Sequence, residues 1–171
     1  MKVEIRHLVE RFSQGRENQG KAVFSTIFIA GNRLQTIFDS NIPQLSLKQF
    51  MLLSVARQAK EPMNFSRMGK ILGCSRQNIK KLAQILEKKG FVKLRASPAD
   101  PRAMCLTLTD RGEEYFKNDF LPYQRELEYL FQVYSDEEME TLFRLLMKIY
   151  EGIDALENRG GKAENRGETV V

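Results

Sequence analysis

The sequence has a single histidine, His7, and two cysteines, Cys74 and Cys105. The cysteines stand at no metal-ligand spacing, and two of them do not make a disulfide framework; such usage fits a reducing compartment. There is no Gly-rich phosphate loop, no metal-spaced cluster and no nucleophile motif, and His7 lies in an N-terminal segment away from any such group. Catalysis needs convergent groups of these kinds. No enzymatic activity is expected, and neither a cofactor nor a metal. Long apolar runs are also missing. The longest nearly apolar stretch, "AVFSTIFIAG", falls well short of the roughly 20 residues that span a bilayer. The N-terminal "MKVEIRHLVERF" interleaves charges and has no apolar core of the signal-peptide type. A cytoplasmic location is expected.

What is present is enough apolar material for a sizeable core. The chain has 171 residues, 42% of them hydrophobic, with eleven phenylalanines, which argues against disorder as its main state. The formal charge of +5 is modest, but it is unevenly spread. Between Asn64 and Arg102 ten lysines and arginines face only two acids, Glu87 and Asp100, a net +8. The rest of the chain therefore carries −3. A basic module inside a slightly acidic protein is the electrostatic footprint of nucleic-acid binding. An ordinary solvated surface mixes the two signs.

Periodicity orders the chain. Ile5, Leu8, Val9 and Phe12 fit a short opening helix, interrupted by "SQGRENQG". A second helical pattern runs from Lys21 to about Ser40, with Phe24, Phe28 and Phe38 widening its apolar stripe, and Pro43 stops it. Ser46 and Asn64 are placed as N-caps of two helices, "LKQFMLLSVARQA" and "FSRMGKIL". Gly73 breaks the latter, Ser75 caps "RQNIKKLAQILEKK", and Gly90 ends it. The period then changes to two: "FVKLRA" and "AMCLTLT" read as strands joined by the turn "SPADPR". Thr109 caps a long helix to about Tyr134, bent at Pro122. Ser135 and Glu138 form a capping box for the last helix, and the tail from residue 158 lacks any apolar period and is expected to be disordered.

This order predicts a mainly α fold: a winged helix–turn–helix with a small β-hairpin wing, flanked by helices. Four segments are expected: N-terminal helices at 1–45, the winged domain at 46–109, C-terminal helices at 110–157 and a tail at 158–171. Gly69 supplies the small residue that lets the two helices of the motif cross closely, and Met68, Leu72, Ile79 and Leu82 supply the apolar contacts. The second helix of such a motif lies in the major groove with its first residues facing base edges. Arg pairs bidentately with guanine, and Gln or Asn with adenine, whereas Ser and Lys suit phosphates. Arg76, Gln77 and Lys80 are therefore assigned to bases, and Ser75, Asn78 and Lys81 to the backbone. On the wing, Arg102 fits the negative potential of the minor groove. Asp100 holds the turn or orients Arg102.

The stretch from about Leu47 to Gly112 resembles the MarR family (multiple-antibiotic-resistance regulators). "GFVKLRASPADPRAMCLTLTDRG" matches that family's wing and its "LT–x–x–G" motif through Gly90, Val92, Arg95, Pro98, Asp100, Arg102, Leu108, Thr109 and Gly112. "SRQNIKKLAQILEKKG" resembles the family's recognition helix. The resemblance implies a homodimer with interleaved terminal helices, binding double-stranded DNA at a pseudo-palindrome, and DNA binding by Arg95 alongside Arg102. It also implies a small-molecule effector in a cleft between the terminal helices and the winged domain, where Phe24, Phe28 and Tyr115 are candidates. Pro101 and Leu94 stand where the family often has arginine, which implies a weaker wing grip.

The residues agree on a dimer, because the terminal helices carry broader apolar stripes than one winged domain can cover. A transcriptional regulator, most simply a repressor blocking a promoter, is the expected function. The alternative is a winged helix used for non-specific DNA packaging or protein contacts, against which the Arg–Gln–Asn run argues. Cys74, at the start of a helix in a basic setting, is a candidate redox switch, though a small residue packed into the turn is its simpler role.

Overall fold

The computed structural model describes residues 14–41, 44–97 and 102–164. The predicted helix at 5–12, Pro43, and the wing-tip residues 98–101, Asp100 among them, lie outside these. The elements are α1 (Arg16–Asn41), α2 (Leu47–Gln58), α3 (Phe65–Leu72), α4 (Arg76–Lys88), β1 (Val92–Ala96), β2 (Met104–Leu108), α5 (Asp110–Glu114), a π-helical turn (Tyr115–Asp119), α6 (Leu121–Phe131) and α7 (Asp136–Glu164). They divide into two compact units, one ending at Asp119 and the other starting at Phe120. The fold is mostly helical with one two-stranded antiparallel sheet, as the sequence predicts.

In the first unit, the core is built by the helices of the winged domain and the root of its hairpin. Leu52 and Leu53 of α2, Met68 of α3, Ile79, Ala83 and Leu86 of α4, and Phe91, Val92, Cys105 and Leu106 of the hairpin are all buried. Each of the buried leucines, and Met68, Ile79, Phe91 and Val92, contributes about 1.5–3 kcal/mol, and the smaller Ala83 and Cys105 less. The caps fall where the sequence places them. Ser46 Oγ accepts from the Gln49 amide at 3.3 Å while Gln49 Oε1 accepts from the Ser46 amide, a complete capping box. Asn64 and Ser75 cap α3 and α4 in the same sense, through the amides of Arg67 and Asn78. Helix α4 ends in a Schellman turn: Gly90 has φ +79°, its amide donates to the Glu87 carbonyl, and the Phe91 amide donates to the Leu86 carbonyl.

Helix α1 starts at Arg16, earlier than the apolar pattern suggests, because the chain breaks at Gly15 (φ +82°) and Gly20 is carried within the helix. None of its residues is buried, and the exposed Phe24 and Phe28 rings lie against each other at a tilt of 58°, their centroids 4.9 Å apart. Its last turn is tied to the next helix by Asp39, whose Oδ1 accepts from the Leu47 amide at 2.6 Å.

The predicted long helix from Thr109 is interrupted rather than only bent. Pro122 has no amide to give to a preceding carbonyl, and the chain passes through the π-helical turn before resuming at Leu121. That turn is held on the core. Tyr115 is buried with its ring edge-on to Phe91, and Phe116 packs against Phe50 beneath the guanidinium of Arg57.

In the second unit, Ser135 and Glu138 form the predicted capping box at the start of α7. The helix continues to Glu164, so residues 158–164 are helical where a disordered tail is expected from the sequence. Arg159, Lys162, Ala163 and Glu164 are good helix formers, and the helix carries Gly160 and Gly161, at about 1 kcal/mol each, because propagation of an existing helix needs no apolar period.

Candidate nucleic-acid interface

The helix–turn–helix depends on one close approach. A Cβ at Gly69 would lie 2.5 Å from the Cys74 carbonyl oxygen, and the Cys74 amide donates to the Gly69 carbonyl at 2.9 Å. Gly73, at φ +63°, makes the turn between them. Helix α4 then buries Ile79, Ala83 and Leu86 and leaves Arg76, Gln77, Lys80 and Lys81 exposed on its other side. The ion pairs Lys21–Glu17 and Arg57–Glu113 involve none of these four. Ser75 is occupied as the cap, and Asn78 is half-buried, turned toward a cavity instead of lying fully outward. The recognition-helix residues are therefore brought together on one exposed face, with Asn78 at its edge.

The wing adds further exposed cations. Strands β1 and β2 pair from Val92↔Leu108 to Ala96↔Met104. Lys93 and Arg95, two apart on β1, are exposed, as is Arg102 at the end of the hairpin. Glu87, the one acid of the basic module among the described residues, is occupied: its Oε1 accepts from the Leu94 amide at 2.9 Å, which joins α4 to the wing. Thr109 closes the hairpin root. Its hydroxyl donates to the Gly90 carbonyl at 2.6 Å and accepts from the Gly112 amide, while its own amide donates to the Phe91 carbonyl. A Cβ at Gly112 would lie 2.4 Å from the Phe91 oxygen. These contacts give a physical reason for threonine and glycine at these spacings.

Other candidates separate. Tyr115 belongs to the core, whereas Phe24 and Phe28 are exposed on α1. A cavity of about 300 Å³ does exist within the first unit. It is lined by Leu47, Lys48 and Met51 of α2, and by Leu72, Asn78 and Leu82 around the turn. Leu72 and Leu82 are thus half-buried cavity walls. Cys74 is half-buried beside it, and Cys105 is buried, its thiol pointing at the Arg95 and Ala96 carbonyls. Among the described residues no group of histidines, cysteines and carboxylates has a metal-binding arrangement, and no helix is long and apolar enough to cross a membrane. Sequence reasoning missed the internal roles of Gln44, Lys89 and Arg111. The only signal for this cluster in the sequence was the Ser46–Gln49 capping spacing.

Comparison with known proteins places these features. The family model for the MarR family matches residues 45–104. The transcriptional repressor MprA of Escherichia coli (strain K12) is 29% identical over 109 residues, which cover 64% of this chain and 62% of MprA. The match thus spans less than two thirds of that relative's length. Among solved structures, the transcriptional regulator BldR from Sulfolobus solfataricus superposes with a TM-score of 0.73 at 17% identity, covering 81% of this chain and 99% of BldR. A mutant MarR from E. coli complexed with operator DNA superposes with a TM-score of 0.67 at 20% identity, covering 80% and 99%. The structural likenesses establish the fold, and the matches in sequence are a similarity confined to part of the chain. Over residues 45–104 the chain is similar to the MarR family of winged helix–turn–helix transcriptional regulators.

Proposed function

We propose that the protein is a sequence-specific DNA-binding repressor that acts as a homodimer on a pseudo-palindromic operator. The observation that carries this reading is the exposed face of α4, where Arg76, Gln77, Lys80 and Lys81 stand together and take part in no ion pair among the described residues, with Arg95 and Arg102 also exposed on the wing. Arg76, Gln77 and Lys80 read base edges in the major groove; Ser75, Asn78 and Lys81 contact phosphates. Arg102 enters the minor groove with Asp100 orienting it, and Arg95 supports the wing's grip on the backbone. The repressor role follows MprA, whose name states it.

A dimer is supported by each terminal region taken by itself. Helix α1 exposes Val23, Phe24, Ile27 and Phe28, and α7 exposes Phe143, Leu146, Tyr150 and Ile153. Apolar faces of this extent are covered in solution by association. A two-fold dimer sets its recognition helices about 34–36 Å apart, one turn of DNA. A small-molecule effector that alters this spacing would release the operator. The cavity at the turn, with Asn78 in its wall, is a place within the winged domain where such a molecule would act on α4.

The test is fluorescence anisotropy with the DNA upstream of the protein's own gene against scrambled DNA of equal length, at two salt concentrations. A preference of about 10³ or more that persists at the higher salt is expected. Equal binding that collapses with salt would leave an architectural, non-specific role.

A further inference from the structure

Lys89 ends the recognition helix and counts among the ten positive charges of the basic module. Its ammonium nevertheless turns inward. It donates to Gln49 Oε1 at 3.1 Å and to the main-chain carbonyl of Gln44. Gln49 is a polar side chain buried at the start of α2, and the same oxygen accepts the Ser46 amide. Gln44, in the connection between α1 and α2, has φ +80°, the single non-glycine residue with positive φ among the described residues. A left-handed conformation at glutamine is strained and persists only where its surroundings over-determine it. They do so here from two sides. Arg111, at the start of α5, lies over the Phe91 ring at 4.8 Å and reaches Gln44 Oε1 at 3.4 Å. Four segments thus converge: the α1–α2 connection, the first turn of α2, the end of α4 and the start of α5.

We propose that Lys89 is a positioning residue and makes no phosphate contact. It fastens the C-terminal end of the recognition helix, and the wing root that follows at Gly90–Val92, to the α1–α2 junction. The N-terminal end of α4 is already fixed by the Gly69–Cys74 approach. The Lys89 contacts fix the other end, so the angle of α4 is held at both. This inference rests on the reading of α4 as the DNA-contacting helix.

The test measures operator affinity and its salt dependence for the wild type, Lys89→Met, Gln49→Met and the double variant, with the active fraction set by stoichiometric titration. Lys89→Met leaves Gln49 Oε1 still bonded to the Ser46 amide, so the fold is not put at risk by an orphaned acceptor. Expected are about a tenfold loss of affinity for Lys89→Met, a slope of log K against log salt equal to the wild type's, and a double variant no weaker than Lys89→Met alone. A slope shallower by about one, with effects that add, identifies a phosphate contact and overturns the proposal. Unchanged affinity of the active fraction also overturns it. Should Gln49→Met not fold, the slope and affinity of Lys89→Met decide alone. Failure of the wild type itself to prefer its operator would instead overturn the DNA-binding reading.

Discussion

At the scale of single residues, the most exacting positions are two glycines and one threonine. Gly69 and Gly112 each sit where a methyl group would press within 2.5 Å or less of a backbone oxygen. Backbone cannot swing aside as a side chain does, so either Gly69→Ala or Gly112→Ala should destabilise the winged domain by about 1–3 kcal/mol, read as a lower urea midpoint. Gly73 is different in kind: a Cβ there meets nothing, and only its positive φ resists substitution. For DNA, Gln77→Ala is expected to cost about 1–3 kcal/mol of base discrimination, measured as a flattened ranking across operators with single base-pair changes. Arg102→Ala should weaken binding to all of those operators together. A Gln77→Ala variant that preserves the original ranking would remove that residue from base reading. Gly69 was legible in the sequence because a helix–turn–helix needs a small residue where its helices cross, whereas Gly112, pressed against Phe91 from twenty-one residues away, entered only with the family resemblance. Lys89 was not legible, since nothing in a run of lysines says which ammonium folds back on a glutamine forty residues earlier.

At the scale of elements, boundaries followed chemistry that acts over three or four residues. Ser46, Asn64, Ser75, Thr109 and Ser135 each cap the helix the sequence assigns to them. The failures occur where an element's fate depends on something other than its own pattern. Helix α1 begins at Arg16 because a helix, once nucleated, tolerates the polar run and one glycine that looked like a break. The helix after Thr109 passes through a π turn because Tyr115 and Phe116 are anchored on Phe91, Phe50 and Arg57, an arrangement without a sequence signature. The hairpin root offers an element-scale test. Thr109→Val removes both a helix cap and the bond to the Gly90 carbonyl. The loss should be about 1–2 kcal/mol, with circular dichroism and urea unfolding as readouts, and Thr109→Ser should restore most of it.

At the scale of the whole molecule, the question is what covers the apolar faces of α1 and α7. Size-exclusion chromatography with light scattering should give a dimer, and a stable monomer at micromolar concentration would sink the two-fold reading. Phe28→Asp, in the middle of an exposed face of α1, should shift that equilibrium toward monomer without unfolding the winged domain, because no residue of α1 contributes to its buried core. Operator affinity should fall with it. A second whole-molecule quantity is the salt response: six to ten phosphate contacts would lower affinity by about 10³–10⁵ between 50 and 200 mM salt. The fold class and the location of the basic module were visible in charge distribution and period. The proposed pairing of two chains has only unsatisfied apolar surface as its signal in the sequence, which states a need without stating its geometry.

The knot at the hairpin root has a further consequence for motion. The Phe91 amide closes the end of α4, the Phe91 carbonyl receives Thr109, and Thr109 in turn holds Gly90 and Gly112. Helix and wing therefore cannot loosen separately at this point, since opening either breaks the same few bonds. The amides of Phe91 and Thr109 should exchange with solvent only when the entire winged domain unfolds, while those of Arg76 and Gln77, in the first turn of α4, exchange from the native state. The helix that would meet DNA is thus held in place at both ends, yet its amides are open to solvent at the first and bonded shut at the last, within thirteen residues.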